Sequence, residues 1–292
     1  MITVRLSGGM GNQMFEYAAA RALALRCDTT VQLDLQYLND RTWRPKPLRI
    51  TFRKYDLDIF VVDSTLSKEG TAPLYVFGKI GLFTDLCYRR IFKPKGVERH
   101  FQFNAHFEKF TDGTFLDGAW QSPKYFTGYE DVIRKDFVFK HEPSSPQIAA
   151  LAEEIRKEES VCVHVRRADF VGNPLHDICD TKYYVQGIVE IEKRGQIGKV
   201  YVFSDDIEWC KKNMTFSYPT VFVGDEYFGV KAGGNMYLMS QCKYFVIANS
   251  SFSWWGAWLS EREGKVVVAP KRWLADATID TSDVTPSEWV RI

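Results

Sequence analysis

The sequence lacks the residue spacing of a metal site or a disulfide framework. Its six cysteines are scattered along the chain without a Cys-x-x-Cys pair, and its five histidines are equally dispersed. Structural zinc sites draw on closely spaced Cys and His ligands, so this pattern gives no indication of zinc. We therefore expect the thiols to be reduced and mostly buried.

An excess of charge of one sign is also missing, as are long apolar runs. The formal net charge is +1, whereas nucleic-acid-binding domains usually carry a marked basic excess, so nucleic acid is not an expected partner. No basic-then-apolar leader precedes the strand-like Ile2–Leu6, and no apolar run has the length of a membrane span. With 45% apolar residues the composition is that of a globular protein, and we expect a cytoplasmic one.

What is present at the start of the chain is a strand, a glycine turn and a helix. Residues 2–6 alternate in polarity, residues 7–11 read Ser-Gly-Gly-Met-Gly, and Asn12 is a good N-cap for a helix over Gln13–Arg26. A second strand is predicted over Thr30–Leu35. From about residue 40 to about residue 140 the periodicity is poor, and the sequence places few elements there.

From Ser145 onward strands and helices alternate regularly. The predicted helices are Pro146–Lys157, Tyr183–Lys193, Ile207–Asn213, Asn235–Cys242 and Phe252–Ser260. The predicted strands are Ser160–Val165, Val200–Phe203, Thr220–Val223, Tyr244–Ala248 and Lys265–Ala269. This alternation is typical of a doubly wound parallel sheet, so we expect an α/β protein with two halves, residues 1–145 and residues 146–292.

Polar clusters follow several of these strands, at the edge where parallel sheets bind ligands. The glycine turn after the first strand offers helix N–H groups to an anion. It also resembles a dinucleotide fingerprint with Asp34 as the ribose acid, although Met14 stands in place of the third glycine. A purely structural tight turn is an equal alternative.

Two adjacent arginines, Arg166 and Arg167, follow the strand that ends at Val165. The paired N–H groups and the fixed positive charge of an arginine suit a diphosphate, and Asp169 could hold one of the two arginines in place. A structural ion-pair network remains the alternative. On the strand itself, His164 shares a face with Cys162, and the intervening valines point the other way.

Two further clusters complete the set. Asp205 and Asp206 could bind a base or a ribose, or could cap the next helix, and capping is favoured locally. The serine-rich turn gathers hydroxyl and N–H groups at one point, or its serines simply cap the helix that follows. The residues of this turn that we assign to a ligand are Asn249, Ser250, Ser251 and Phe252.

Asp56 and Asp58 resemble the Asp-x-Asp of metal-dependent glycosyltransferases. They lie in Lys54–Phe60, which alternates like a short edge strand, and two carboxylates on one strand face could hold Mg²⁺. We favour the strand interpretation and expect no metal.

Five motifs in order give the sequence a resemblance to the bacterial α-1,2-fucosyltransferases, the family that also includes the animal H-antigen enzymes. They are SGGMGNQMFEYA from Ser7, GAWQSPKYF from Gly118, HVRRAD from His164, FSDDIEWC from Phe203 and ANSSFSWWGAW from Ala248. The similarity runs from the first strand to about Pro270, and is loose over residues 40–115. The family usually has Gln at Glu16 and Gly at Ala168, where alanine suffices unless the turn needs positive φ.

The resemblance implies a GT-B-like fold of two Rossmann-like halves with the donor site in the cleft. It implies GDP-fucose as a co-substrate rather than a bound cofactor, inversion, and an acceptor glycan ending in galactose. Residues 1–145 would be the acceptor side and residues 146–292 the GDP-fucose side. The donor site would comprise His164, Arg166, Arg167, Asp205 and Asp206, with the glycine-turn residues Gly9, Gly11, Asn12 and Gln13 reaching the donor from the other half.

The chemistry of fucosyl transfer builds negative charge on the leaving diphosphate oxygen, which arginines and helix N-termini can stabilise without a metal. We therefore assign Arg166 a catalytic role, with Asp169 beside it. Asp169 and Glu16 are both candidates for a base, and the sequence does not decide between them. The oligomeric state is likewise undetermined by the sequence.

Three alternatives remain at this stage. The glycine turn with Asp34 would suit a nucleotide-dependent oxidoreductase, and the 15% aromatic content would suit a non-catalytic glycan-binding protein. Basic and apolar residues interleave over Phe77–Phe101, which suggests weak peripheral contact with anionic lipid at the inner membrane face, or a helix with a solvated basic face.

Overall fold

The computed structural model describes residues 1–39, 53–67, 96–98, 100–140 and 145–292. The interleaved basic segment Phe77–Phe101 therefore lies mostly outside the described residues. The chain divides into two compact units, Met1–Val138 and Phe139–Ile292. Within the described ranges no helix is long and apolar enough to cross a bilayer.

The first unit is built on a small parallel sheet. Its strands are β1 (Ile2–Arg5), β2 (Val31–Asp34), β3 (Thr65–Leu66) and β4 (Phe115–Leu116), in the order β3-β2-β1-β4. Among the described residues its α-helices are α1 (Met10–Arg26), α2 (Gln36–Asn39) and α3 (Glu130–Asp136), and 3₁₀ turns cover Leu57–Ile59, Ala105–Lys109 and Pro123–Phe126. Helix α1 is buried along most of its length, because small alanines let it pack closely inside the unit.

The second unit contains a parallel sheet in the order β10-β9-β8-β5-β6-β7. The strands are β5 (Ser160–Val165), β6 (Lys199–Ser204), β7 (Thr220–Val223), β8 (Tyr244–Ile247), β9 (Val266–Ala269) and β10 (Val290–Arg291). The helices are α4 (Pro146–Lys157), α5 (Thr181–Glu192), α6 (Ile207–Asn213), α7 (Gly233–Gln241) and α8 (Ser251–Leu259). Each predicted strand and helix of this half is present, with ends within a residue or two of the prediction.

Strand β5 lies inside this sheet and is buried on both faces, so its side chains alternate between two packed layers. Val161, Val163 and Val165 lie in one hydrophobic cluster with residues of α5, while the His164 ring lies against Phe252 on α8, 6.1 Å between centroids. His164 and the valines therefore point to opposite faces, as the alternation predicted.

Two local predictions in the first unit are wrong. Helix α1 begins at Met10 with Gly9 as its N-cap, so Asn12 lies inside the first turn and does not cap it. The segment with Asp56 and Asp58 forms a 3₁₀ turn over Leu57–Ile59, not an edge strand. The alternation of polarity there reflects burial of Leu57 and Phe60 within a turn.

Candidate active site

The strand order of the second unit places a ligand crevice between β5 and β8. From β5 the chain adds β6 and β7 on one side, then returns to add β8, β9 and β10 on the other. In open α/β sheets the crevice lies beyond the carboxyl ends of the two strands where the order reverses. Arg166 directly follows β5, and the serine-rich turn follows β8, so both clusters flank this point.

Arg166 is clamped by two carboxylates. Its Nε and Nη2 atoms donate to Asp169 Oδ1 at 2.9 and 2.6 Å, and its Nη1 atom lies 2.9 Å from Asp205 Oδ2. The side chain is 23% exposed. A guanidinium has five N–H groups, so this clamp leaves donors on Nη1 and Nη2 for a further anion. Asp169 thus holds the arginine in place as expected, while its catalytic role stays a prediction.

Asp205 fixes the turn that carries both arginines. Its carboxylate accepts hydrogen bonds from the backbone N–H groups of Arg167 and Ala168, at 2.8 and 3.2 Å. Ala168 is not among the residues with positive φ, so the turn accepts alanine without strain. In this arrangement the Asp205 side chain positions Arg166, and direct contact with a nucleotide stays a prediction.

Arg167 is held by a different set of groups. Its Nε donates to Asp206 Oδ2 at 3.1 Å, and its guanidinium lies 3.6 Å from the centroid of the Trp209 ring. Asp206 also caps α6 by accepting from Trp209 N at 3.2 Å, which is the local role expected of it. Trp209 was not identified from the sequence, although its place in the first turn after the Asp pair was the available signal.

His164 is a buried, neutral imidazole at the end of β5. It is 5% exposed, and burial lowers the pKa of His164 to about 3, with the Arg166 charge as a second cause. Among the residues that the structure describes, its Nδ1 atom has no hydrogen-bond partner. A buried nitrogen in that state is unusual, and at the edge of a ligand crevice it is a candidate contact for a substrate group.

The amino end of α8 is not capped by a side chain. Ser250 stands at the N-cap position without a capping bond, and the Ser253 hydroxyl donates back to the carbonyl groups of Ser250 and Ala248, at 3.1 and 3.4 Å. Capping by Ser250 or Ser253, part of the simpler expectation, is therefore absent from this helix. Its first turn, with Ser251 and Phe252, presents the partial positive charge that favours a bound anion.

Asn249 ties this turn to the loops around it. Its Nδ2 donates to His176 O and Trp273 O at 3.1 and 3.0 Å, and its Oδ1 accepts from Cys179 Sγ at 3.7 Å. The side chain is 3% exposed. Asn249 therefore holds the crevice in shape, and a direct contact with the donor stays a prediction.

The glycine turn of the first unit depends on Gly8 more than on the predicted Gly9, while the predicted Gly11 lies buried in the first turn of α1. Gly8 has φ +65°, and a Cβ there would clash with the Asn12 side chain, so both its conformation and its space require glycine. A Cβ built on Gly9 would lie 3.9 Å from Arg53 Cζ. This guanidinium beside the amino end of α1 was missed, because nothing in the sequence connects residue 53 to the turn.

Asn12 and Gln13 are held by protein groups. Asn12 Oδ1 accepts from Gln121 Nε2 at 3.0 Å. Gln13 is fully buried, donates to Gly8 O and Lys54 O at 3.1 and 2.8 Å, and accepts from Asp56 N at 2.9 Å. Gln13 thus links the glycine turn to the segment around residue 54, and its predicted contact with the donor remains untested.

The structure does not favour Asp34 as the ribose-binding acid of a dinucleotide site. Asp34 is fully buried at the end of β2, accepts from Gln36 N at 2.9 Å, and lies 3.9 Å from Arg5 Nε. Burial raises the pKa of this carboxyl group. With no exposed surface, Asp34 does not present its carboxylate to a ribose hydroxyl in this structure.

A metal centre is not apparent in the part of the chain that the structure describes. There, no group of three or more His, Cys, Asp or Glu side chains is arranged to hold an ion. The second unit instead offers a clamped arginine, a second arginine and an uncapped helix terminus around one crevice. Such a set can bind a diphosphate and stabilise charge that develops on it.

Known glycosyltransferases are similar to this chain along most of its length. Residues 97–292 match Glycosyl transferase family 11. An alpha-1,2-colitosyltransferase of Escherichia coli is 34% identical over 100% of this chain and 99% of that protein, and a galactoside 2-alpha-L-fucosyltransferase of Caenorhabditis elegans is 24% identical over 91% and 71%.

Among solved structures, the fucosyltransferase NodZ from Bradyrhizobium matches with a TM-score of 0.52 at 16% identity, over 87% of this chain and 92% of that one. NodZ has also been crystallised with GDP. The likeness confirms the GT-B-like α/β fold. Since a family match covers most of the chain and a relative is similar along its whole length, the protein belongs to glycosyl transferase family 11.

Proposed function

We propose that this protein transfers L-fucose from GDP-β-L-fucose to the 2-hydroxyl of a terminal β-galactoside, forming an α-1,2 linkage with inversion. The observation that supports this most is the Arg166 clamp beside the uncapped amino end of α8, at the point where the sheet order reverses. Within a glycosyltransferase family, that combination suits the diphosphate of a nucleotide-sugar donor.

The chemistry follows from these groups. Attack by the acceptor hydroxyl breaks the bond between the anomeric carbon and the β-phosphate oxygen, and the bonding electrons leave with GDP. The remaining N–H groups of Arg166 and the first turn of α8 would stabilise that growing charge. GDP-fucose is a co-substrate, so the proposal requires no bound cofactor and no metal ion. The second unit would bind the donor and the first unit the acceptor.

The names of the relatives support this donor and acceptor class. The Caenorhabditis relative is a galactoside 2-alpha-L-fucosyltransferase. The Escherichia relative, which is more similar, is an alpha-1,2-colitosyltransferase, so a colitose donor is the second candidate. Colitose differs from fucose by lacking the 3-hydroxyl group, and both are compatible with an arginine clamp on the diphosphate.

The test is a direct assay. The purified protein is incubated with GDP-fucose or GDP-colitose and with lactose, N-acetyllactosamine or methyl β-galactoside, and the linkage of the product is read by NMR. We expect an α-1,2 linkage to galactose and a larger kcat/KM for one of the two donors. Thermal stabilisation by NAD but not by GDP, without transfer, would favour the oxidoreductase alternative. Stabilisation by galactosides alone, without GDP binding, would favour the glycan-binding alternative.

A further inference from the structure

The sheet of the first unit also reverses its order, between β1 and β4. The chain adds β2 and β3 on one side of β1 and later returns to place β4 on the other side. Asn12, in the first turn of α1, follows β1 along the chain, and Gln121 follows β4. By the same rule that locates the crevice of the second unit, a substrate group would reach the first unit between these two segments.

Trp120, just before Gln121, has a backbone conformation that a bulky residue rarely adopts. Its φ is +50°, in the left-handed region that is unfavourable for any residue with a Cβ atom. The indole ring is fully buried against Tyr125 and Phe107, at 5.1 and 5.7 Å between ring centroids. The Trp120 backbone N–H donates to Glu98 Oε2 at 2.7 Å. Strain that the surroundings maintain in this way is typical of segments that hold a functional group in place.

The residue that this strained segment holds in place is Gln121. Ser122 N donates to Trp120 O at 2.8 Å, which closes a tight turn centred on Gln121. Gln121 Nε2 donates to Asn12 Oδ1 at 3.0 Å, so the carboxamide is joined to the first turn of α1. The backbone and the side chain of Gln121 are thus both fixed before a ligand binds, which lowers the entropy cost of binding.

The Gln121 carboxamide retains groups that can bind a ligand. It has two N–H donors and a carbonyl acceptor, and the bond to Asn12 uses one N–H. The side chain is only 8% exposed, yet its Oε1 atom remains within reach of solvent and makes no hydrogen bond to a described residue. A donor and an acceptor in one plane match a sugar hydroxyl, which can both donate and accept. A neutral amide therefore suits an uncharged glycan at this position.

We propose that Gln121 determines acceptor specificity by binding one hydroxyl group of the terminal galactoside, while Asn12 and Trp120 position its carboxamide. The inference rests on the proposed function. The hydroxyl that Gln121 binds is one of the three that do not react, at carbons 3, 4 and 6, so Gln121 orients the sugar and takes no part in bond making. A sugar without that hydroxyl would leave the fixed carboxamide unpaired and would be a poor acceptor.

A purely structural link between α1 and the segment after β4 would make the same contacts, so the test pairs protein variants with altered acceptors. Gln121→Met keeps the length of the side chain and removes its hydrogen bonds. Gln121→Asn keeps the carboxamide but shortens the side chain by one carbon, and it supplies the result if the methionine variant does not fold. Gln32→Met is the matched control, because Gln32 is a partly buried glutamine on β2 of the same sheet.

The measurement is kcat/KM for methyl β-galactoside and for its 3-deoxy, 4-deoxy and 6-deoxy analogues, at a saturating concentration of the donor that the enzyme uses. We expect the wild type and Gln32→Met to lose about 10-fold or more on one analogue, because the carboxamide is then left unpaired. Gln121→Met and Gln121→Asn should lose about 10-fold or more on the parent galactoside and should use that analogue as well as the parent. The Kd for GDP should not change.

The outcomes distinguish the specificity role from the function on which it rests. An equal loss on all four acceptors in the Gln121 variants, with the discrimination of the wild type retained, would identify a structural link and overturn the inference. Wild-type kcat/KM in both variants, or a wild type that uses all three analogues as well as the parent, would overturn it too. These results leave the transferase assignment standing. A wild-type protein that transfers no sugar to any galactoside would overturn the proposed function itself, and this inference with it.

Discussion

The buried imidazole at the end of β5 should make the stability of the second unit depend on pH. His164 is 5% exposed, and burial, followed by the nearby Arg166 charge, lowers the pKa of His164 to about 3. In the unfolded chain its pKa should return to about 6.5. The unfolded state therefore binds a proton over a pH range in which the folded state does not. Stability from this group is present above about pH 6.5 and is lost as the pH falls toward 3.

The size of the effect follows from the two pKa values. One proton taken up only by the unfolded state costs about 1.4 kcal/mol of unfolding free energy per pH unit. Between pH 6.5 and 5, a span of about 1.5 units, the loss is about 2 kcal/mol. The remaining two units down to pH 3 would bring it to about 5 kcal/mol.

The perturbation is His164→Gln, which leaves a neutral polar side chain that does not titrate. Urea unfolding is followed by tryptophan fluorescence between about pH 7.5 and about pH 5, without GDP. Trp254, Trp255 and Trp258 are buried in the second unit, so their emission reports on its unfolding. His106, which is exposed in the first unit, supplies the control His106→Gln.

The slope of unfolding free energy against pH is the quantity compared. We expect the wild type and His106→Gln to lose about 2 kcal/mol more than His164→Gln over this range. Whether the glutamine changes stability at one fixed pH does not matter, because only the slope is interpreted. Equal slopes in the wild type and His164→Gln would refute the argument that the folded protein keeps this imidazole neutral.

Three further predictions concern the leaving group, the metal and the glycine turn. Arg166→Ala should lower kcat about 100-fold or more, an effect of ~3 kcal/mol. Arg194→Ala, at an exposed helix end, is the control and should leave kcat unchanged. Normal turnover in Arg166→Ala would remove this arginine from the mechanism. Transfer activity should survive excess EDTA, and abolition with rescue by Mn²⁺ would instead support the Asp-x-Asp site. Gly8→Ala should destabilise the first unit by more than the ~1–2 kcal/mol cost of a left-handed alanine, because the new methyl group also clashes with Asn12. Gly113→Ala is the control, since Gly113 has φ +81° and open space and should show the conformational cost alone. Equal shifts of the urea midpoint in the two variants would contradict the clash.

How much could be predicted from the sequence differs between the two units for physical reasons. Strands β5 to β9 of the second unit are four to six residues long and mostly apolar, and its helices begin at recognisable caps such as Ser145 before Pro146 and Asp206. Strands β3 and β4 are two residues each and exist because β1 and β2 provide edges to pair with. Two residues carry no period, so no pattern could have indicated them.

For the site, the sequence predicted which residues lie at the crevice but not which of them contact one another. The rule that ligands bind at strand ends correctly located Arg166, Arg167 and the serine turn. It did not predict that Asp205 would clamp Arg166, or that Trp209 would lie under Arg167, because these contacts join the segment after β5 to the segment after β6. The alternative left open there, that the serines simply cap α8, does not describe Ser253, whose hydroxyl bonds backward to Ser250 O.

The contact between Arg166 and Asp205 follows from one strand register. In the β5–β6 pair, His164 lies opposite Phe203 and Val165 opposite Ser204, so the next residues along each strand bring Arg166 beside Asp205. A slip of one residue would turn the three valines of β5 out of the core cluster and His164 into it. Such a slip would expose several apolar side chains or leave them without packing partners, and the burial of each one stabilises the fold by about 1.5–3 kcal/mol. The hydrophobic core therefore fixes the register, and the register brings the carboxylate to the arginine. On this argument, substitutions in the core that loosen the β5–β6 pairing should weaken the arginine clamp before they change any residue of the crevice itself.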